Sequence, residues 1–440
     1  MKVKCIFLFF VYLTYTSFSF ASDLDGVSEL IKNGKETEAI VRINQYIQKY
    51  PSDPELIFLR GAALDHFGKT REAKEDFLIL SNKYFYFEVI IKMMLMNYNE
   101  LYEILKENFD KEGNFKTIED LNVTIETIHF HSKKADLLNG SFSTTSCEKH
   151  QTHFKESNEN QILYGFSGID VKDFDIERNK HFDYYILKRA DVEIAEGTLI
   201  FFHGLNEKKW DKYLPWAYEL AQKTKKAIIL FPIAFHMNRA EEIWSDRRAM
   251  VEVAKFRKKN YPENTNCSFV NAAISSRLEA HPQRIFWSGF QTYSDVIQVV
   301  KDIRNQKIKS ISPETSIDLF GYSIGSFLSM ILKMADPEGI FENSKLFCFC
   351  GGMTIDRMFP ISKYIMDARA AIKMQTVFAE LLSSDFQSDE RLGHFQDEKL
   401  HPQESWFKMM LRYNYFQKER EERMIIRIVP SIAAERSVCW

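Results

Sequence analysis

The stretch Ser316 to Gly325, reading S-I-D-L-F-G-Y-S-I-G, holds the clearest chemistry in this chain. Ser323 stands between two glycines in a G-x-S-x-G pattern. A serine hydroxyl becomes a nucleophile when a base takes its proton and nearby donors hold the charge on the attacked carbonyl oxygen. Ile317, Leu319 and Phe320 form an apolar run that suits a buried strand. Phe327, Leu328, Met330, Ile331 and Leu332 recur as a wide helical face. Strand, sharp turn and helix are the setting that exposes a serine hydroxyl above free helix N–H groups. Gly321 and Gly325 leave room where the chain enters and leaves such a turn. The chemistry would be acyl transfer through a covalent intermediate on Ser323. A plain Gly-Ser turn fits the same five residues, and the flanking elements favour the nucleophile.

Such a serine needs a base within about 2.6–3.2 Å and an acid to orient that base. His394 and His401 are the histidines that follow Ser323, both in a polar stretch. His394 is the base candidate, with His401 beside it. Asp356, after the strand that begins at Leu346, and Glu435, after an apolar run from Met424 to Val429, are the rival acids. Upstream, the run Thr198 to Phe202 leads into His203-Gly204-Leu205, a turn at a strand end.

Other chemistries find little support. No G-x-x-x-x-G-K-[ST] is present, which argues against phosphoryl transfer. Net charge is −3 and no long basic run appears, so nucleic acid is not an expected partner. Of six cysteines, Cys348 and Cys350 lie two apart on an apolar strand and read as small core residues. No metal and no cofactor is expected.

The elements that must position Ser323 follow an alternating pattern from Gly197 onward. Strands at Thr198–Phe202, Ala227–Phe231, Ile317–Phe320, Leu346–Cys350 and Met424–Val429 alternate with helices at Trp210–Gln222, Asp295–Ile303 and after Gly325. Continuous apolar strands between helices predict an α/β fold with a mostly parallel sheet, covered on both faces. Val123–Phe130 and Phe182–Lys188 read as further strands, Leu137–Asn160 as a polar loop and Lys111–Thr117 as a linker. Helical insertions at about 235–290 and 353–415 read as lids. Loops after strand ends line the crevice of such sheets, which makes His236, Asn238 and Arg239 candidate substrate contacts or, equally, anchors of the lid.

The N-terminal part is organised differently. Lys2 and Lys4 precede an apolar run, and Ser19-Phe20-Ala21 offers a cleavage site, so residues 1–21 read as a signal peptide of an exported protein. No later stretch is long enough to span a membrane. Export would permit disulfides. Gly34-Lys35-x-x-Glu38-Ala39 recurs as Gly68-Lys69-x-x-Glu72-Ala73, an offset of 34 residues (68 minus 34). That period is typical of helix-turn-helix repeats.

Two resemblances follow from these motifs. From about residue 180 the chain resembles the α/β-hydrolase superfamily, on Gly321-Tyr322-Ser323-Ile324-Gly325, His203-Gly204, and a polar-aromatic loop at Phe231–Asp246 similar to one in bacterial members. The resemblance implies that the N–H groups of Leu205 and Ile324 form the oxyanion hole. It also implies the order serine, acid, histidine, with the histidine after the last strand. Only eleven residues follow Val429 and none is histidine, so that strand and histidine region is expected to be missing. Residues 22–115 resemble tetratricopeptide repeats, which commonly bind partner proteins, and 116–440 would be the hydrolase domain. The expectation is an exported serine hydrolase acting on a small ester, thioester or amide. The alternative is a non-catalytic member that binds a protein partner through its repeats.

Overall fold

The computed structural model describes residues 26–51, 54–79, 98–135, 144–155, 160–170, 177–351 and 354–410, apart from positions 28, 32, 70, 74, 77, 78 and 148. Residues 1–21, expected as a signal peptide, with Cys5, the apolar run Met424–Val429, Glu435 and Cys439 lie outside these residues. The described chain divides into two compact units. One comprises the residues up to Lys111 together with Asp211–Thr224, and the other the remainder.

The first unit is helical. Helices α1 (Glu36–Lys49), α2 (Pro54–His66) and α3 (Tyr98–Phe109) belong to it. The 34-residue recurrence is a recurrence of backbone geometry. Gly34 and Gly68 take positive φ, 70° and 82°. The Gly34 N–H donates to Ile31 O and the Lys35 N–H to Leu30 O, and Gly68 N–H to Asp65 O and Lys69 N–H to Leu64 O repeat both bonds. These are paired Schellman caps, in which the left-handed glycine lets two orphan carbonyls of a helix end find donors. Ala39 and Ala73, five residues on from each glycine, are both buried. Val27, Ile43, Leu56 and Ala63 form the unit's small core.

The second unit is an α/β structure around a seven-stranded mixed sheet. Its strands are β1 (Phe115–Ile118), β2 (Val123–His131), β5 (His181–Arg189), β6 (Ala195–Phe202), β7 (Ala227–Leu230), β8 (Ile311–Tyr322) and β9 (Leu346–Phe349). Their order is β1-β2-β5-β7-β6-β8-β9. β7, β6, β8 and β9 run parallel, and β1, β2 and β5 form an antiparallel wing beside β7. The mostly parallel expectation holds for the half that carries Ser323. The wing makes the sheet mixed, and β1 begins inside the expected linker. Residues 144–155, expected to be loop, pair as a hairpin of β3 (Thr144–Cys147) and β4 (Thr152–Lys155).

The helices of this unit are α4 (Asn160–Ser167), α5 (Glu177–Lys180), α7 (Arg247–Asn260), α8 (Ala272–Ala280), α9 (Arg284–Arg304), α10 (Ile324–Ala335), α11 (Ala368–Ser383) and α12 (Glu390–Gln396). Between β6 and β7 in the chain lies α6 (Leu214–Thr224), close to the expected helix but grouped with the first unit. Two observations concern the segments expected as lids. α9 starts eleven residues before the expected Asp295, so the boundary near 290 falls inside one continuous helix. Residues of the segment 354–410 pack into the core. Phe407 stacks on Phe290 at 4.4 Å between ring centres, and Ile355, Met374, Phe378 and Met409 belong to the same core as the sheet residues Ile200, Ile229 and Leu319. The helices at 247–280 and 368–383 are joined by a fully buried Arg257, which pairs with Asp367 and Glu279 at 2.7 Å each.

Candidate functional site

Ser323 sits between β8 and α10 with φ 54° and ψ −117°. An L-residue rarely holds such a backbone, and the surrounding structure has to enforce it. The enforcing contacts are visible. The Ser323 N–H donates to Phe349 O of β9 at 3.0 Å, and the Ser326 N–H donates to Ser323 O at 3.0 Å. Ser326 Oγ donates to Gly321 O at 2.6 Å, closing the turn from beneath. A β-carbon on Gly321 would stand 2.4 Å from backbone atoms of Gly325 and Ser326, so only glycine fits there. Ser323 itself is half-buried at the C-terminal end of β8. The helix that follows presents its first N–H groups, Ile324's among them, at this end.

The turn after β6 meets this elbow directly. A β-carbon on Gly325 would lie 2.6 Å from Phe202 O and 2.7 Å from His203 O. The missing side chain therefore lets α10 seat against the end of β6, immediately before Leu205. His203 is fully buried and holds that turn rather than facing outward. Its Nε2 accepts the Ile233 N–H at 2.9 Å, and its Nδ1–H donates to Gly204 O at 2.8 Å. The accepted bond fixes the neutral tautomer and ties the end of β6 to the loop after β7.

The candidate substrate contacts separate into two kinds. Arg239 is fully buried. It pairs with Asp295 at 2.8 Å, donates to Asn179 Oδ1 at 3.1 Å and to Pro232 O at 3.0 Å, and lies over the Phe182 ring. Asn238 donates to Asp183 O at 2.8 Å. These contacts anchor both residues in the loop, the second of the two roles expected for them. His236 differs. Its Nδ1 is 3.0 Å from Ala234 O, its ring is 5.1 Å from that of His203, and it lines a cavity of about 60 Å³ with Leu205, Phe235, Arg277, Arg284 and Ile285. Burial pulls the His236 pKa down to about 4, with Arg277 and Arg239 adding to the effect. Ser323 and Ile324 are not among the walls of this cavity. Its volume is well short of the roughly 300–1,000 Å³ of ordinary small-molecule sites.

Among the described residues the rest of the expected triad is not gathered around Ser323, and Glu435 lies outside them. Among the described residues no side chain hydrogen-bonds the Ser323 hydroxyl. Asp356 is exposed, on the turn after β9. His394, the base candidate, is committed elsewhere: its Nε2 is 3.2 Å from His401 Nε2. His401 Nε2 is in turn 3.4 Å from Cys147 Sγ, and His150 Nδ1 is 3.4 Å from the same sulfur. These four side chains form one cluster whose ligand-type atoms all lie within 4.8 Å of one another. Sequence reasoning missed it. The available signals were Cys147-x-x-His150 and His394-x₆-His401, two short spacings in stretches read as loop and lid.

Cys267, Cys348 and Cys350 form no disulfide among the described residues. Cys348 Sγ donates to Ser326 O at 3.7 Å, and burial pushes its pKa up to about 12, which keeps the thiol protonated. No helix among the described residues is long and apolar enough to cross a membrane.

Residues 96–435 match a family described as a family of unknown function (DUF6051), and the chain belongs to it. No curated protein and no solved structure matches the chain.

Proposed function

We propose that this chain is a serine hydrolase of the α/β-hydrolase type, with Ser323 as the nucleophile toward a small ester, thioester or amide. The observation that carries the reading is the backbone of Ser323, held at φ 54° between a parallel strand and a helix N-terminus. In this mechanism Ser323 Oγ attacks the acyl carbon. The N–H groups of Ile324 and Leu205 receive the charge that develops on the carbonyl oxygen. The close seating of Gly325 on the end of β6 supports that pairing of donors. His203 acts through the backbone it holds and does not take the proton. Export through residues 1–21 and a tetratricopeptide-like first unit belong to the same proposal, the second supported by the duplicated helix caps at Gly34 and Gly68.

A second reading has its own observation. Among the described residues no histidine reaches the Ser323 hydroxyl, and an oxyanion hole with binding but no base leaves only roughly 10³–10⁴-fold over water. A protein of that kind would serve as a partner-binding module through its helical unit. Reaction of the purified chain with a fluorophosphonate probe, together with turnover of an activated ester, separates the two. Labelling that maps to Ser323 and disappears in Ser323→Ala supports the hydrolase. Absence of both labelling and turnover supports the binding module.

A further inference from the structure

We propose that Cys147, His150, His394 and His401 bind a zinc ion, and that this ion fastens the β3–β4 hairpin to the segment that begins with α12. The inference stands apart from the hydrolase reading and uses none of its residues as a nucleophile or oxyanion donor.

The donor set fits the metal. Thiolate and imidazole are the ligands that zinc takes in tetrahedral sites, at bond lengths of about 2.3 Å and 2.0–2.1 Å. Those lengths give tetrahedral edges of about 3.3 Å between two nitrogens and about 3.6 Å between nitrogen and sulfur. The separations here are 3.2 Å for His394 Nε2 to His401 Nε2, 3.4 Å for Cys147 Sγ to His401 Nε2 and 3.4 Å for Cys147 Sγ to His150 Nδ1. Hydrogen bonding alone describes the cluster poorly. His401 Nε2 carries one proton or one lone pair, yet it faces a sulfur and a second imidazole nitrogen at once. A cation at the centre lets all the donors direct lone pairs to one point.

The surroundings point the same way. His401 Nδ1 is buried. Glu404 Oε2 stands 3.4 Å behind it, where a carboxylate orients a metal-bound imidazole. Cys147 and His401 are buried while His150 and His394 are partly exposed, so two ligands lie toward solvent. Four protein ligands leave no open position, which is the pattern of a structural site rather than a catalytic one. The fold also has a use for it. Among the described residues β3 and β4 pair only with each other, and they are four residues each. A two-stranded ribbon of that size is marginal in water by itself. The cluster joins it to residues 254 positions further along the chain.

The test uses the full-length chain, stripped with a chelator and titrated with Zn²⁺ and with Co²⁺. The expected result is one metal per chain. Co²⁺ should give intense tetrahedral d–d bands with a sulfur-to-cobalt charge-transfer band, and bound Zn²⁺ should raise the unfolding temperature. Cys147→Ser should remove the charge-transfer band. His150→Gln, at a partly exposed ligand, should weaken Zn²⁺ binding by more than the roughly 10-fold expected of Glu404→Gln behind His401. A wild-type chain that takes up neither metal in stoichiometric amount overturns the proposal. Binding unchanged in both Cys147→Ser and His150→Gln also overturns it, because the metal then sits elsewhere. Should the variants not fold, the wild-type Co²⁺ spectrum decides alone, since a bound ion without a thiolate band excludes Cys147 as a ligand.

Discussion

The α-carbon of Gly325 is seated against the carbonyl of His203: a β-carbon there would come within 2.7 Å of His203 O and 2.6 Å of Phe202 O. This approach brings the serine turn and the turn after β6 together. Gly325→Ala is therefore expected to cost about 1–3 kcal/mol by overpacking and to abolish fluorophosphonate labelling of Ser323, because α10 must shift. Gly68→Ala provides the contrast. Nothing lies within 4 Å of a β-carbon at Gly68, so only its positive φ opposes the change, at about 1–2 kcal/mol. Urea unfolding and labelling of both variants check this. Labelling of Gly325→Ala at the wild-type rate would remove the role given to the contact.

The buried pair Arg239–Asp295 should dominate the stability of the loop after β7. Burial lowers the Arg239 pKa and raises that of Asp295, so each ion depends on the other to stay charged. Ser132 Oγ also donates to Asp295 Oδ1 at 2.6 Å. Arg239→Ala strands a carboxylate and is expected to cost about 3–5 kcal/mol. Lys301→Ala removes one member of the Lys301–Glu338 pair, whose side chains are 51% and 58% exposed, and should cost under about 1 kcal/mol. Chemical denaturation of the two variants measures the difference, and similar costs would count against the buried network.

The elbow was legible because its determinants are local. Ser323, its two glycines, the apolar strand and the periodic helix all fall within about twenty residues, and each glycine has a steric reason that a motif can carry. The duplicated glycine turn was legible for the same cause, since a Schellman cap needs only neighbouring residues. What the sequence hid is non-local. Nothing near Cys147 indicates that His401 will be beside it, and a polar stretch rich in Ser, Asn and His reads as loop until its partner is known. Arg239 reads equally as a substrate contact and an anchor, and its buried partner, Asp295 of α9, is 56 positions away. In the wing, β2 and β5 read as strands while β1 reads as linker, and the antiparallel placement of all three beside β7 depends on pairings that no local pattern encodes.

His236 should give the fold a measurable acid sensitivity. Its pKa falls from an ordinary 6.5 to about 4 in the folded chain. Between these values the unfolded chain binds the proton and the folded one does not, so stability is complete above pH 6.5 and declines as pH falls toward 4. The full span is at most roughly 3 kcal/mol. His236→Gln removes the titration and should flatten the decline over that window relative to wild type. Parallel curves of stability against pH for the two proteins would show that His236 does not contribute.

The strained serine offers the sharpest separation of stability from reactivity. Holding an L-residue at φ 54° and ψ −117° costs of order 1–3 kcal/mol, and glycine removes most of that. Ser323→Gly is expected to be more stable than wild type by roughly 1 kcal/mol. Ser323→Ala keeps the strain and loses only the hydroxyl, so its stability should stay within about 0.5 kcal/mol of wild type. Both should lose fluorophosphonate labelling. Thermal or urea unfolding of the three proteins, run beside the labelling assay, reads both quantities. If Ser323→Gly is no more stable than Ser323→Ala, the turn carries no strain. A turn without strain would remove the observation on which the choice of Ser323 as nucleophile rests, because a relaxed Gly-Ser turn can join a strand to a helix without any catalytic purpose.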